Sequence, residues 1–197
     1  MTALARLGIL ATCALLVSSC AQPSLYKRVE PRARAIGGVY TVQPGLAWSS
    51  LGSGKLETWT IDGVALERLR FFTDIADGQS LLGSGAPNDL RPRLRTSLTT
   101  PEIVEFVADS LFGNHFTPRH VRPVPFGNAT GFRFEGRYAA SDRVVRDVLV
   151  AGALFQGRLH LIVYDGTALH HFGLYRDEVD RIIASVRMTG TPPRPPV

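Results

Sequence analysis

Cysteine is almost missing from this chain. Cys13 and Cys20 are the only two in 197 residues, and both precede Ala21. Beyond Cys20 there is no thiol nucleophile, no thiolate metal site and no pair for an internal disulfide. Lysine is as scarce. Lys27 and Lys55 are the only two among 22 cationic residues, a skew that fits codon bias better than a designed phosphate surface. No Gly-x-Ser-x-Gly elbow occurs, and no Gly-Lys-Ser/Thr follows Gly52-Ser53-Gly54 or Gly83-Ser84-Gly85, so these glycines read as turn formers. The net charge of +5 includes Arg6 near the N-terminus and is too small to argue for nucleic-acid binding. Composition is that of an ordinary globular chain, 45% hydrophobic and 20% charged.

The N-terminus reads MTALARLGILATCALLVSSC. Arg6 supplies a positive start, and Leu7 to Val17 form an apolar stretch shorter than the ~20 residues a bilayer span needs. That is the anatomy of an export signal. The ending Val17-Ser18-Ser19-Cys20 resembles the lipobox of bacterial lipoproteins, with a branched apolar residue, two small residues and then cysteine. The resemblance implies diacylglycerol on the Cys20 thiol, cleavage before Cys20 and acylation of the new amino group. More than one acyl chain is what stable anchoring requires. Ala21 stands where an aspartate would imply retention at the inner membrane, so the resemblance implies an outer-membrane anchor facing the periplasm.

Four segments are expected: a signal peptide over 1–19, a lipidated cysteine and tether over 20–37, one α+β domain over 38–188 and a proline-rich tail over 189–197. The tether is polar and basic without a sustained apolar period. The tail, TGTPPRPPV, cannot build helix or central strand. It reads as a flexible extension or as a docking peptide for an aromatic groove.

Within the domain, Tyr40–Val42 is a short strand candidate. Leu56–Ile61 and Val64–Phe72 are two strand-like runs separated by Asp62-Gly63, a hairpin signal. Residues 80–95 form a long Gly/Pro/Ser-rich loop. A helix follows: Thr99 or Thr100 caps it, Pro101 suits its first turn, Glu102 completes a capping box and Gly113-Asn114 stops it. His120–Phe126, broken by two prolines, suits an edge strand. Val144–Phe155 and Leu159–Tyr164 form a hairpin around Gln156-Gly157-Arg158, and both strands are apolar on two faces, which places them centrally with cover on both sides. Tyr175, Val179, Ile182, Ile183 and Val186 space as an amphipathic C-terminal helix, with Asp177-Glu178 in its first turn.

The expected fold is α+β, an antiparallel sheet with helices packed on both faces. The run Tyr40-Thr41-Val42-Gln43-Pro44-Gly45-Leu46-Ala47-Trp48, the Thr100-Pro101-Glu102 helix start, the strands around Gly157 and the closing Asp180–Arg187 segment resemble PsbP-like domains. That resemblance implies an α/β/α sandwich over about 38–188 and a mostly non-enzymatic scaffold or binding role, and it transfers no catalytic residue.

Candidate chemistry is thin, and no motif calls for a cofactor or a metal. His160 alternates with Ile162 and Tyr164 and reads as a core histidine bonded to backbone. His115 and His120 are not at helical metal-pair spacing. His170-His171 follow Asp165-Gly166 in a loop on a rigid scaffold, where one of the pair could join Asp165 or Asp177. Arg91, Arg93 and Arg95 could meet anionic lipid or stand as a solvated loop. Two functions remain: an envelope lipoprotein that binds a protein or lipid partner without catalysis, or a metal-assisted periplasmic enzyme using the His170/His171 loop.

Overall fold

The computed structural model describes residues 25–83, 90–113 and 116–189. The expected export signal, Cys20, His115 and the expected tail over 190–197 lie outside the described residues. Chain order is β1 (Lys27–Val29), β2 (Arg34–Ile36), β3 (Tyr40–Val42), β4 (Trp48–Ser53), β5 (Leu56–Thr60), β6 (Glu67–Ile75), α1 (Thr100–Phe112), β7 (Arg119–Phe126), β8 (Ala129–Ala139), β9 (Val145–Phe155), β10 (Arg158–Thr167), α2 (His171–Ala184) and β11 (Arg187–Met188). Eight strands form one antiparallel sheet in the order β1-β4-β5-β6-β10-β9-β8-β7, and β11-β3-β2 form a second, small one.

β10 is the axis of the large sheet. From Leu159 to Gly166 every residue is buried. Leu159, Leu161 and Val163 join one apolar cluster with Ile103, Val104, Phe106, Val107 and Ala108 of α1. Ile162 and Tyr164 join the other, with Phe172, Val179, Ile182 and Ile183 of α2. Each fully buried side chain of this kind contributes about 1.5–3 kcal/mol, so the hairpin β9–β10 is held from both sides. Its turn, Gln156-Gly157, has φ of +51° and +69°, the mirror-image turn that matches strand twist.

The molecule is mostly sheet, with a large antiparallel sheet and two helices among the described residues. The expected α/β/α sandwich therefore holds only as a mixed fold. Eight strands span about 34 Å, whereas one helix is about 10 Å wide, so a single helix cannot roof a face. Other parts complete the cover: Ile36, Tyr40 and Val42 of the small sheet on one side, and Leu81 and Leu94 of the long loop on the other.

Three local expectations change. Residues 20–37, read as a tether, contain β1 and β2, which pair with β4 and β3. Each three-residue strand buries one side chain, Val29 or Ile36, too few to show a period. The Asp62-Gly63 hairpin is a longer connection, 61–66, with Leu66 exposed. The Glu67 carboxylate holds it, its Oε1 accepting from Ile61 N (2.6 Å), Asp62 N (3.0 Å) and Thr60 Oγ1 (2.6 Å). Helix α2 begins at His171, so Asp177 and Glu178 sit beyond its first turn. Glu178 is buried and accepts from Gly45 N and Leu46 N at 2.6 and 3.0 Å, tying the Pro44-Gly45 turn to the helix. The capping box of α1 is present, with Glu102 Oε2 accepting from Thr99 N and Oγ1. β7, carrying Pro123 and Pro125, is an edge strand.

His160 is 2% exposed, and its Nδ1 accepts from Asp74 N at 3.2 Å. Burial drives its pKa down to about 4, so the ring is neutral in the fold. The unfolded chain takes up a proton near pH 6.5 and the folded chain does not until about pH 4, so stability falls as pH drops through that window. Comparing urea unfolding at pH 7 and pH 5, the native chain should lose about 2 kcal/mol more than His160→Asn, whose amide oxygen can replace Nδ1. Equal losses in the two proteins would show that His160 is not the titrating group.

Candidate functional site

The long loop after β6 closes on itself at a neck. Gly78 N donates to Leu94 O (2.7 Å), Leu94 N to Gln79 O (2.8 Å) and Thr96 N to Asp77 Oδ1 (2.7 Å). Leu94 is fully buried, and alternation turns its neighbours Arg93 and Arg95 outward, both exposed. Arg93 donates to Gly78 O at 3.1 Å, and Arg91, partly buried, to Leu82 O at 2.9 Å.

Between this loop and the β4–β5 turn lies a cleft of about 420 Å³, within the range of small-ligand sites. Its wall is apolar, from Leu56, Ile75, Leu81 and Leu82, and its polar margin holds Lys55, Gln79 and Arg93. Of the three loop arginines, Arg93 lines it. Lys55 Nζ donates to Asp74 O (3.1 Å) and Gln79 Oε1 (3.2 Å). The register sets Lys27 against Ser50 and Val29 against Trp48, so β1 enters the sheet from the end that carries the Gly54-Lys55 turn and this cleft.

His170 and His171 stand elsewhere, at the start of α2. His171 Nδ1 lies 2.9 Å from Thr167 Oγ1 and Nε2 lies 3.9 Å from Asp62 Oδ2. The Tyr175 hydroxyl donates to the same Asp62 oxygen at 2.6 Å, and burial together with that carboxylate pushes the phenol up to about 12. The histidine rings are 5.0 Å apart and nearly perpendicular. Neither histidine meets Asp165 or Asp177; the partner is Asp62, brought by the 61–66 connection. Among the described residues no group of three His, Cys, Asp or Glu is placed to hold a metal. The arrangement pins a loop to a helix start.

Asp165 instead points to the α1 side of the sheet, as strand alternation with Leu161 and Val163 requires. It is fully buried. Arg68 Nε approaches its two oxygens at 2.9 and 3.0 Å, Arg70 Nη2 is 3.0 Å away and Tyr138 OH 2.9 Å away. Arg146 Nη1 stands at 3.8 Å. Burial pulls the Arg70 pKa down, against the attraction of Asp165. This cluster is not announced by any local sequence motif. Its trace was the alternation Arg68-Leu69-Arg70-Phe71, which puts two arginines on an inward face, but the opposing carboxylate and Arg146 are distant in sequence.

No known protein family matches the chain. No curated protein matches it either. Among solved structures it is similar to LpqN, involved in cell envelope biogenesis of Mycobacterium tuberculosis, at 12% identity and a TM-score of 0.37, over 87% of this chain and 88% of that one. A likeness this loose carries nothing over to this chain. No helix among the described residues is long and apolar enough to cross a membrane.

Removing the charge of Asp165 strands three guanidinium groups. Asp165→Asn should therefore lower unfolding free energy by about 3 kcal/mol, read from urea denaturation midpoints at unchanged slope. A change within a few tenths of a kcal/mol would mean the arginines are balanced by something other than this carboxylate.

Proposed function

We propose that the chain is a bacterial envelope lipoprotein, acylated on Cys20, whose domain binds an anionic amphiphile beside its own anchor and performs no catalysis. The observation that carries this reading is the cleft's chemistry and position. An apolar wall of Leu56, Ile75, Leu81 and Leu82 suits an acyl chain, and Arg93 at the rim suits an acidic headgroup. The cleft lies at the end of the sheet from which β1 enters. Leu25 is five positions after Cys20, a reach of at most roughly 17 Å, so an acylated Cys20 would hold this end close to the lipid surface. Arg91 and Arg95, on the same loop, would add attraction to anionic headgroups of about 1 kcal/mol each. Ala21 after the acylated cysteine favours the outer membrane, with the domain in the periplasm. An envelope protein could share the site through the same amphiphile, and nucleic acid has no place in it.

The test uses the full chain expressed in a lipoprotein-processing bacterium. Intact mass of the purified protein should show an acylated N-terminal Cys20, absent in Cys20→Ala. A photoactivatable phosphatidylglycerol should crosslink to residues of the cleft, and Arg93→Glu should cut the yield about tenfold, since it replaces attraction by repulsion. An unmodified N-terminus would overturn the anchor, and crosslinks spread without preference over the surface would overturn the binding site.

A further inference from the structure

The Asp165 cluster has more donors than acceptors. A carboxylate offers about four lone-pair directions, and those of Asp165 are taken by two contacts from Arg68, one from Arg70 and one from Tyr138. Arg68 Nη2 donates to Tyr138 OH at 3.2 Å, and Arg146 Nη2 donates to Ala65 O. What remains is Arg146 Nε, Arg146 Nη1 and Arg70 Nε, all buried and without a hydrogen-bond partner among the described residues. The Arg146 side chain is 4% exposed. Three guanidinium groups face one buried carboxylate, and the exposed Asp142, 3.8 Å from Arg146 at the rim, still leaves the cluster positive. Buried guanidinium N–H groups without acceptors are costly, and a buried excess of charge more so, which points to an absent counter-anion. Converging arginines are also the side chains best shaped for multi-oxygen anions. Arg68 is the most solvent-accessible of the three, its side chain one-third exposed (33%). The cluster occupies the end of β10 opposite the Gln156-Gly157 turn, on strands β6, β8, β9 and β10, away from the cleft residues.

We propose that Arg68, Arg70 and Arg146, arranged around Asp165, form a binding site for a phosphate-type oxyanion, either free or carried on a headgroup. In this site Asp165 is a positioning residue. It saturates its own acceptors with Arg68 and Arg70 and so fixes the guanidinium planes, leaving the outward and Arg146 N–H groups for the ligand.

The experiment is calorimetric titration of the full chain in detergent with inorganic phosphate at constant ionic strength. A parallel titration uses water-soluble dihexanoyl phosphatidic acid, with dihexanoyl phosphatidylcholine as the control. Saturable one-to-one binding of inorganic phosphate supports a free oxyanion. Binding of the phosphatidic acid alone, weakened by Arg68→Gln, supports a headgroup source. Arg68→Gln, at the most exposed of the three arginines, should weaken either about tenfold or more without unfolding the protein, and Arg146→Gln should abolish it. Arg93→Glu should leave binding of inorganic phosphate unchanged, which separates this site from the cleft. No saturable binding of either probe, or binding indifferent to Arg68→Gln, overturns the proposal.

Discussion

The β9–β10 hairpin is buried on both faces, and this double burial sets what every other element has to do. A sheet strand offers two surfaces, and here both are apolar along most of their length. Water must be kept from each. Helix α1 and the neck of the long loop take one side, while α2 and the small β2-β3-β11 sheet take the other. Segments near both limits of the described residues are consequently drawn into the fold: β2 comes from near the first of them, β11 from near the last, and they meet on β3.

The same constraint explains where polar groups sit. Near its far end β10 changes from apolar residues to Asp165, and a carboxylate there cannot remain buried unless paired. Arg68 and Arg70 come from the neighbouring strand β6 at the register that faces it. Glu57 is handled similarly on the opposite face, accepting from Arg34, Ser50 and Trp59 at 2.7–2.8 Å. Glu57 is matched by one cation, whereas Asp165 is surrounded by three, and that difference separates a structural contact from a candidate site.

The two ends of the sheet thus have different characters. One carries the entering strand and an apolar cleft with cationic margins. The other carries the arginine cluster and the Asp62–Tyr175–His171 contacts that fasten α2. His170 and His171 look conspicuous in a sequence because histidine is rare, yet among the described residues no group of three His, Cys, Asp or Glu is placed to hold a metal. The long loop looks like filler, yet its backbone bonds and buried Leu94 make it one wall of the cleft.

Local interactions made part of this legible in the sequence. The α1 capping box, the Gln156-Gly157 turn, the proline-marked edge strand and the two-faced apolar run of β10 each depend on residues within a few positions of one another. Tertiary structure alone decided the rest. β1 and β2 are strands because one buried side chain each finds a slot already built. The 61–66 connection is long because Glu67, buried against β5, organises it. Arg68, Arg70, Arg146, Tyr138 and Asp165 come together from four strands because an antiparallel register, fixed by which face is apolar, sets residues nearly a hundred positions apart side by side. Short-range chemistry is written in the order of residues, and charge convergence is written only in how the strands align.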